Sequence, residues 1–209
     1  MEIVKRAFDA AFETREEGGS GIVTGRPVVL NSRTDLGLCD EVIDSGALLK
    51  TNMRDVRLCL NHDTGFVYAR SRQNNGSSTM QIMTDAMGLT FTAGLDIRNS
   101  PKAQDLYAAI RRGDIDKMSF MFTVDGYEWE NLESDHPTRH ITSIGTIYEI
   151  SAVTFPAYEA TSIEARSSEM LDSIRQELES ARQLRLKASP DGEIELAKAQ
   201  YFYTRRKSR

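Results

Sequence analysis

Asp116-Lys-Met-Ser-Phe-Met-Phe-Thr-Val124 is the stretch that decides how this chain folds. In steps of two, Met118, Phe120, Phe122 and Val124 fall on one side, and Ser119, Met121 and Thr123 on the other. The segment predicts a strand with an apolar side for a core and a small hydroxyl on the opposite side. Serines so placed are common and mostly inert, so Ser119 gains weight only from what surrounds it.

Just upstream lies the clearest helix of the body. Ser100 is a natural N-cap, Pro101 suits the first helical position, and Gly113 supplies the stop. Ala103, Leu106, Tyr107 and Ile110 make its apolar stripe. Arg111 and Arg112 lie in the last turn, where the helix dipole favours cations. Further upstream, Leu89, Phe91, Ala93 and Leu95 alternate as a strand, Met80 to Met83 reads as another, and Gln73-Asn-Asn-Gly-Ser-Ser78 reads as a turn. Val56, Leu58 and Leu60 alternate in the same way, with His62 next in that phase where Asn61-His-Asp-Thr-Gly65 begins to turn. Ile22 to Leu30 predicts a strand in which Pro27 marks an edge or bulge. Before it, Ile3 to Phe12 reads as a short helix, and the glycines of Glu16-Glu-Gly-Gly-Ser-Gly21 as flexible chain.

Downstream, a polar excursion from Glu128 to His140 precedes strand-rich residues 141–155. Within them Glu149 interrupts the apolar neighbours Ile147, Tyr148, Ile150 and Val153. A carboxylate so flanked is partly buried and needs a partner, such as His62 or an arginine. From Ser167 or Ser168 a charged helix carries Leu171, Ile174, Leu178 and Ala181 as a narrow apolar stripe. Ser189-Pro-Asp-Gly192 breaks it, residues 193–203 read as helical again, and Thr204-Arg-Arg-Lys-Ser-Arg209 is a basic end.

Composition excludes several classes. A chain of 209 residues with 40% hydrophobic and 27% charged residues is ordinary for one soluble domain plus a tail. No apolar run is long enough to span a membrane, and the first residues lack a signal-peptide core, which places the chain in a cytoplasm. A net charge of -5 argues against general nucleic-acid binding. Cys39 and Cys59 read as buried free thiols. His136 and His140 are spaced i, i+4, but Pro137 opposes the helix a zinc pair would need, so no metal or cofactor is expected.

One histidine at a strand end, one serine on a strand and one semi-buried acid remain: His62, Ser119 and Glu149. Serine catalysis needs a base to take the hydroxyl proton and a third group to orient the base and stabilise its cation. His140 is the other candidate for that third place.

The segments around these residues are more specific than the residues themselves. Glu41-Val-Ile-Asp-Ser-Gly-Ala47, Leu58-Cys-Leu-Asn-His-Asp63, Gly88-Leu-Thr-Phe91, the 100–113 helix with Lys117-Met-Ser-Phe-Met-Phe122, and Tyr148-Glu-Ile-Ser-Ala-Val-Thr-Phe-Pro-Ala-Tyr158 occur in that order. This resembles the prohead (capsid maturation) protease family of tailed bacteriophages, which is related in fold to the herpesvirus assemblins. The resemblance covers residues 20–165. It implies an α+β fold with a partly closed, mostly antiparallel β-barrel flanked by helices, and the charged helical pattern beyond it reads as a C-terminal helical tail over 166–209. Residues 1–19 would be a flexible or short helical lead.

The implied activity is that of a serine endopeptidase packaged inside the procapsid in the host cytoplasm. It would remove scaffolding sequence from the major capsid protein, and digest itself. The family's histidine falls on His62 and its serine on Ser119, while Glu149 stands where the assemblins carry a second histidine. Met121 occupies the glycine position of the family's Ser-x-Gly-Phe motif, and the assemblin double-arginine loop is absent after Glu149. The oxyanion stabiliser is then a backbone N–H near Ser119, with Arg111 or Arg112 as alternatives. The resemblance implies neither a nucleic-acid nor a membrane partner. A homodimer is open, since assemblins dimerise. The tail would bind scaffold or capsid protein, or be removed by self-cleavage. The rival reading is a catalytically inactive assembly protein on the same fold.

Overall fold

The computed structural model describes residues 3–9, 12–154 and 164–188. Two sheets dominate them. The larger has the order β1 (Ile3–Asp9), β10 (Lys117–Glu130), β11 (Thr138–Val153), β5 (Asp40–Ile43) and β4 (Arg33–Asp35). On the same side of β11 as β5, β6 (Val56–Leu60) also pairs with it and carries β7 (Ala69–Ser71). The smaller sheet has the order β2 (Glu13–Glu17), β3 (Ser20–Val29), β9 (Gly88–Leu95) and β8 (Met80–Asp85).

Their apolar faces pack together. Met118, Phe120, Phe122 and Ile150 from the larger sheet share one buried cluster with Val23, Leu89, Phe91 and Leu95 from the smaller. Phe120 and Phe122 stack with centroids 4.2 Å apart. Burying each such side chain contributes roughly 1.5–3 kcal/mol, so β10 anchors the core through the side away from Ser119.

The architecture is α+β, but the expected partly closed barrel is not formed. Among the described residues no strand ladder joins the two sheets. Where β7 and β8 approach, one backbone bond runs from Thr79 N–H to the Arg70 carbonyl at 3.0 Å. The Arg70 N–H goes instead to Thr79 Oγ1, and the intervening turn satisfies its donors internally through Asn75 and Ser78. That turn chemistry stops the ladder that closure requires.

The N-terminal expectation is also corrected. Ile3 to Asp9 is a strand, paired residue for residue with β10 from Ile3↔Thr123 to Asp9↔Lys117. A short isolated helix is marginal in water, whereas this segment satisfies the free edge of β10. The glycines expected as flexible chain make a tight hairpin. Gly18 and Gly19 have φ of 58° and 84°, which suits glycine, and join β2 to β3 across Glu17↔Ser20. Residues 3–9 and 13–17 therefore belong to the sheets. Pro27 sits in the register shift between Gly25 and Val28 of β3.

Helix α1 (Pro101–Arg112) forms with the expected cap, Ser100 Oγ accepting from Ala103 N–H at 3.3 Å, and stops at left-handed Gly113. Helix α2 (Glu164–Ala188) begins before the Ser167 or Ser168 expected to cap it. Its Ile174 is buried with Leu36 and Cys39. Residues 193–203 lie outside the described residues.

Beneath α2 runs a buried chain of charges. Glu41 on β5 accepts from Arg6 on β1 and from Arg139 on β11, the latter at 2.9 Å. Arg139 also reaches Glu177 of α2 at 2.7 Å and stacks its guanidinium over the Tyr127 ring. Burial works to raise the Glu41 carboxyl's pKa, but Arg6 and Arg139 outweigh it and hold the carboxyl below the ordinary value of 4.5. A depressed carboxylate stabilises the fold above its unfolded value and loses that contribution as pH falls through the folded one. Glu41→Gln should therefore cost about 3–5 kcal/mol at neutral pH, because the buried carboxylate that Arg6 and Arg139 share is lost. Urea unfolding of the variant against wild type measures this, and the gap should narrow below the ordinary carboxylate range.

Candidate active site

Strand register brings the sequence-predicted residues to one face. In β10–β11, Ser119 lies opposite Ser151 and Met121 opposite Glu149. In β11–β6, Ser151 lies beside Cys59 and Glu149 beside Arg57. Paired residues point to the same side of a sheet with Cβ atoms about 5 Å apart. Ala7, Ser119, Ser151 and Cys59 therefore form one row across four strands, and Met121, Glu149 and Arg57 the next. The alternate residues, Phe120, Ile150 and Leu58, face the core between the sheets.

His62 reaches this face by breaking phase with its strand. Continued alternation would send it to the Leu58 and Leu60 side. Instead Asn61 and His62 both adopt left-handed conformations, with φ of 51° and 61°. Such conformations cost roughly 1–3 kcal/mol each for non-glycine residues. Asn61 is fixed by its N–H to the Ala152 carbonyl at 2.9 Å, and by its Oδ1 accepting from Thr154 N–H at 2.9 Å and Thr154 Oγ1 at 3.2 Å. The turn folds the imidazole back over β11.

There His62 Nδ1 meets Glu149 Oε1 at 2.5 Å. Glu149 is 1% exposed and His62 14% exposed in their side chains. The other carboxylate oxygen, Oε2, accepts from Ser151 Oγ at 2.5 Å, and that same Oγ accepts from the His62 backbone N–H at 3.1 Å. With Nδ1 bound to the acid, Nε2 is the ring nitrogen left to exchange a proton. Ser119 is buried, and its Oγ has no hydrogen-bond partner among the described residues.

Ser151 is the residue that sequence reasoning missed. Its signal was its place two residues after Glu149, which in a strand puts both on the same face. Arg57, beside Glu149, bonds Asp55.

The other candidates lie elsewhere. His140 pairs in register with Glu128 and Val42, and its two ring nitrogens meet Asp44 at 2.8 Å and Glu130 at 3.2 Å. The Asp44 bond, reinforced by Glu130 against partial burial, raises its pKa. Arg111 and Arg112 are exposed and pair with Glu16 and Asp114. Asp35, Asp40 and His136 are close enough to ligate one ion, yet Arg33 already pairs with Asp40 in that surface cluster. A groove of about 590 Å³ flanks the site, lined by Leu60, Asn61, Asp63, Phe66, Leu106 and Ile115 among others.

The chain matches the family model of the caudovirus prohead serine proteases over residues 8–175. It belongs to that family. Membership indicates a capsid maturation protease acting on capsid protein within the procapsid, in the host cell. The matched region begins within β1 and ends within α2, wider at both ends than residues 20–165. No curated protein and no solved structure matches the chain significantly. Among the described residues no helix is long and apolar enough to cross a membrane.

Cys59 shares the row of Ser119 and is the site's other conceivable nucleophile. Burial first, then the Glu149 charge, push its thiol up to about 12. Burial and Glu41 likewise raise Cys39 to about 11. Both thiols should resist aromatic disulfide reagents in the folded protein at mildly alkaline pH and react fully once it is unfolded. Rapid native-state labelling of Cys59 would contradict the assignment of that row.

Proposed function

We propose that this chain is the serine endopeptidase that cleaves scaffolding sequence from the major capsid protein inside the procapsid, and cleaves itself. Ser119 is the nucleophile, His62 the base, and Glu149 the group that orients His62. The observation that carries this reading is the 2.5 Å contact of His62 Nδ1 with Glu149, formed on the sheet face that also bears Ser119.

As Ser119 Oγ attacks the scissile carbonyl, His62 Nε2 takes its proton. The imidazolium is stabilised by the Glu149 carboxylate and then protonates the leaving amine. Water repeats the sequence on the acyl-enzyme. A backbone N–H near Ser119 holds the oxyanion, since both arginine alternatives are engaged at the surface. Substrate lies along the groove beside Asn61 and Asp63. Its arrival must expose Ser119 and close the gap to His62, as hydrogen bonds in free enzymes often tighten only with substrate bound. Met121, on the same face beside Glu149, lines the approach where the family motif has glycine.

The protease body is residues 20–165 together with the strands that precede it, and the tail contributes retention in the shell. Because α2 is docked through Ile174 and Glu177, retention is best tested by truncation after Ala188, which should leave cleavage intact and reduce packaging.

Co-expression with the cognate capsid protein, read by intact mass, tests the reading. Wild type should yield a defined capsid-protein truncation that Ser119→Ala abolishes. Glu149→Gln should lower turnover on the order of 10³-fold or more, since His62 loses both its orienter and the counter-charge of its cation. The alternative of an inactive assembly protein draws on the shut-off Ser119 hydroxyl. It requires identical capsid masses with and without Ser119, which would sink the protease reading.

A further inference from the structure

We propose that Ser151 is a positioning residue of this site, whose hydroxyl clamps the Glu149 carboxylate to the His62 backbone. This rests on the protease reading and adds to it a residue that does not touch the reacting atoms.

The hydroxyl both donates and accepts. It donates to Glu149 Oε2 at 2.5 Å and accepts from His62 N–H at 3.1 Å, with Ser151 fully buried. Glu149 thereby has a donor on each oxygen, His62 on one and Ser151 on the other. The carboxylate cannot rotate without losing a charge-assisted bond. The second bond acts on the backbone of a non-glycine residue held at φ 61°. A strained conformation of this kind persists only where its surroundings over-determine it, and Ser151 is what ties that turn to the acid.

A simpler role as a satisfied core polar group predicts bonds to nearby main chain in its own sheet. One of its bonds does go to main chain, the His62 N–H, but its proton goes to the Glu149 side chain, so the hydroxyl joins the residues assigned as orienter and base. Nor is Ser151 the nucleophile, because its proton is already committed to Glu149 and its oxygen to His62. Ser119 differs on both counts. The row Ser119, Ser151, Cys59 thus holds an uncommitted hydroxyl, a committed one and a protonated thiol side by side.

The test has a spectroscopic and a kinetic arm. The chain has three histidines, so the ring-proton signals of the full-length Ser119→Ala protein, which cannot digest itself, are few enough to assign by substitution. The Nδ1 proton between His62 and Glu149 should appear as a sharp resonance far downfield. Adding Ser151→Ala should broaden or remove it while the signals of His136 and His140 stay in place, and Ser151→Thr should restore it. With Ser119 intact, Ser151→Ala should lower kcat roughly ten- to a hundredfold, the worth of a bond to a charged group, with KM little changed.

An unaltered resonance in Ser151→Ala, or full kcat, would overturn the proposal, as would lost kcat with the resonance still sharp. Should Ser151→Ala fail to fold, Ser151→Cys keeps the volume with a much weaker donor, and a resonance as sharp as the parent's overturns it there. Cleavage that survives Ser119→Ala would instead remove the protease reading on which the proposal stands.

Discussion

Strand β11 is the constraint on which the structure depends. It pairs antiparallel with β10 on one side and, on the other, with β5 near its start and β6 near its end, both parallel. Because a strand alternates strictly, fixing these registers decides which residues face the core and which face out. Ile150 and Ala152 go to the core and Glu149 and Ser151 to the other face, while the register shift between Met121 and Phe122 returns Ile147 to the core side. A slip of one residue would bury Glu149 among the phenylalanines and send Ile150 to the face that bears Ser119. Fold and site are therefore one commitment.

Buried charge is distributed along this strand in two places with different consequences. Near its start, Arg139 joins Arg6, Glu41 and Glu177 and so binds β1, β5 and α2 to one another. Such a network is weak evidence of stability and better evidence of a specified arrangement, since each member is costly without the others. Near its end, Glu149 bonds no arginine among the described residues and uses His62 and Ser151 instead. A carboxylate not already paired with arginine is the better placed to stabilise an imidazolium. The bulges between Met121 and Tyr127 separate the two regions, letting the ribbon bend between its Arg139 end and its Glu149 end.

Much of this was legible from residue pattern. The two faces of the Ser119 strand, the capped helix with its Ala103, Leu106, Tyr107 and Ile110 stripe, and the burial of Glu149 follow from period and polarity. What escaped has identifiable physical causes. Residues 3–9 carry no strict alternation, and only the free edge of β10 makes them a strand. Gly18 and Gly19 read alike as flexible chain or tight turn until the flanking strands are known. Strand phase placed His62 on the wrong face, because two consecutive left-handed residues at Asn61 and His62 cannot be seen in periodicity. Ser151 and the Arg6–Glu41–Arg139 chain depend on register between segments far apart in sequence. Closure of the sheets into a barrel was inferred by resemblance, and the edge chemistry around Arg70 and Thr79 decided otherwise.

The central claim is that, of two serines and a cysteine in one row, Ser119 alone is activated by His62. Treating the full-length protein with a serine-directed phosphonofluoridate and mapping the adduct by tandem mass spectrometry tests it directly. The account predicts a single adduct on Ser119, forming far more slowly in His62→Ala. An adduct on Ser151 or Cys59, or capsid-protein cleavage that continues with Ser119 unmodified, would contradict it.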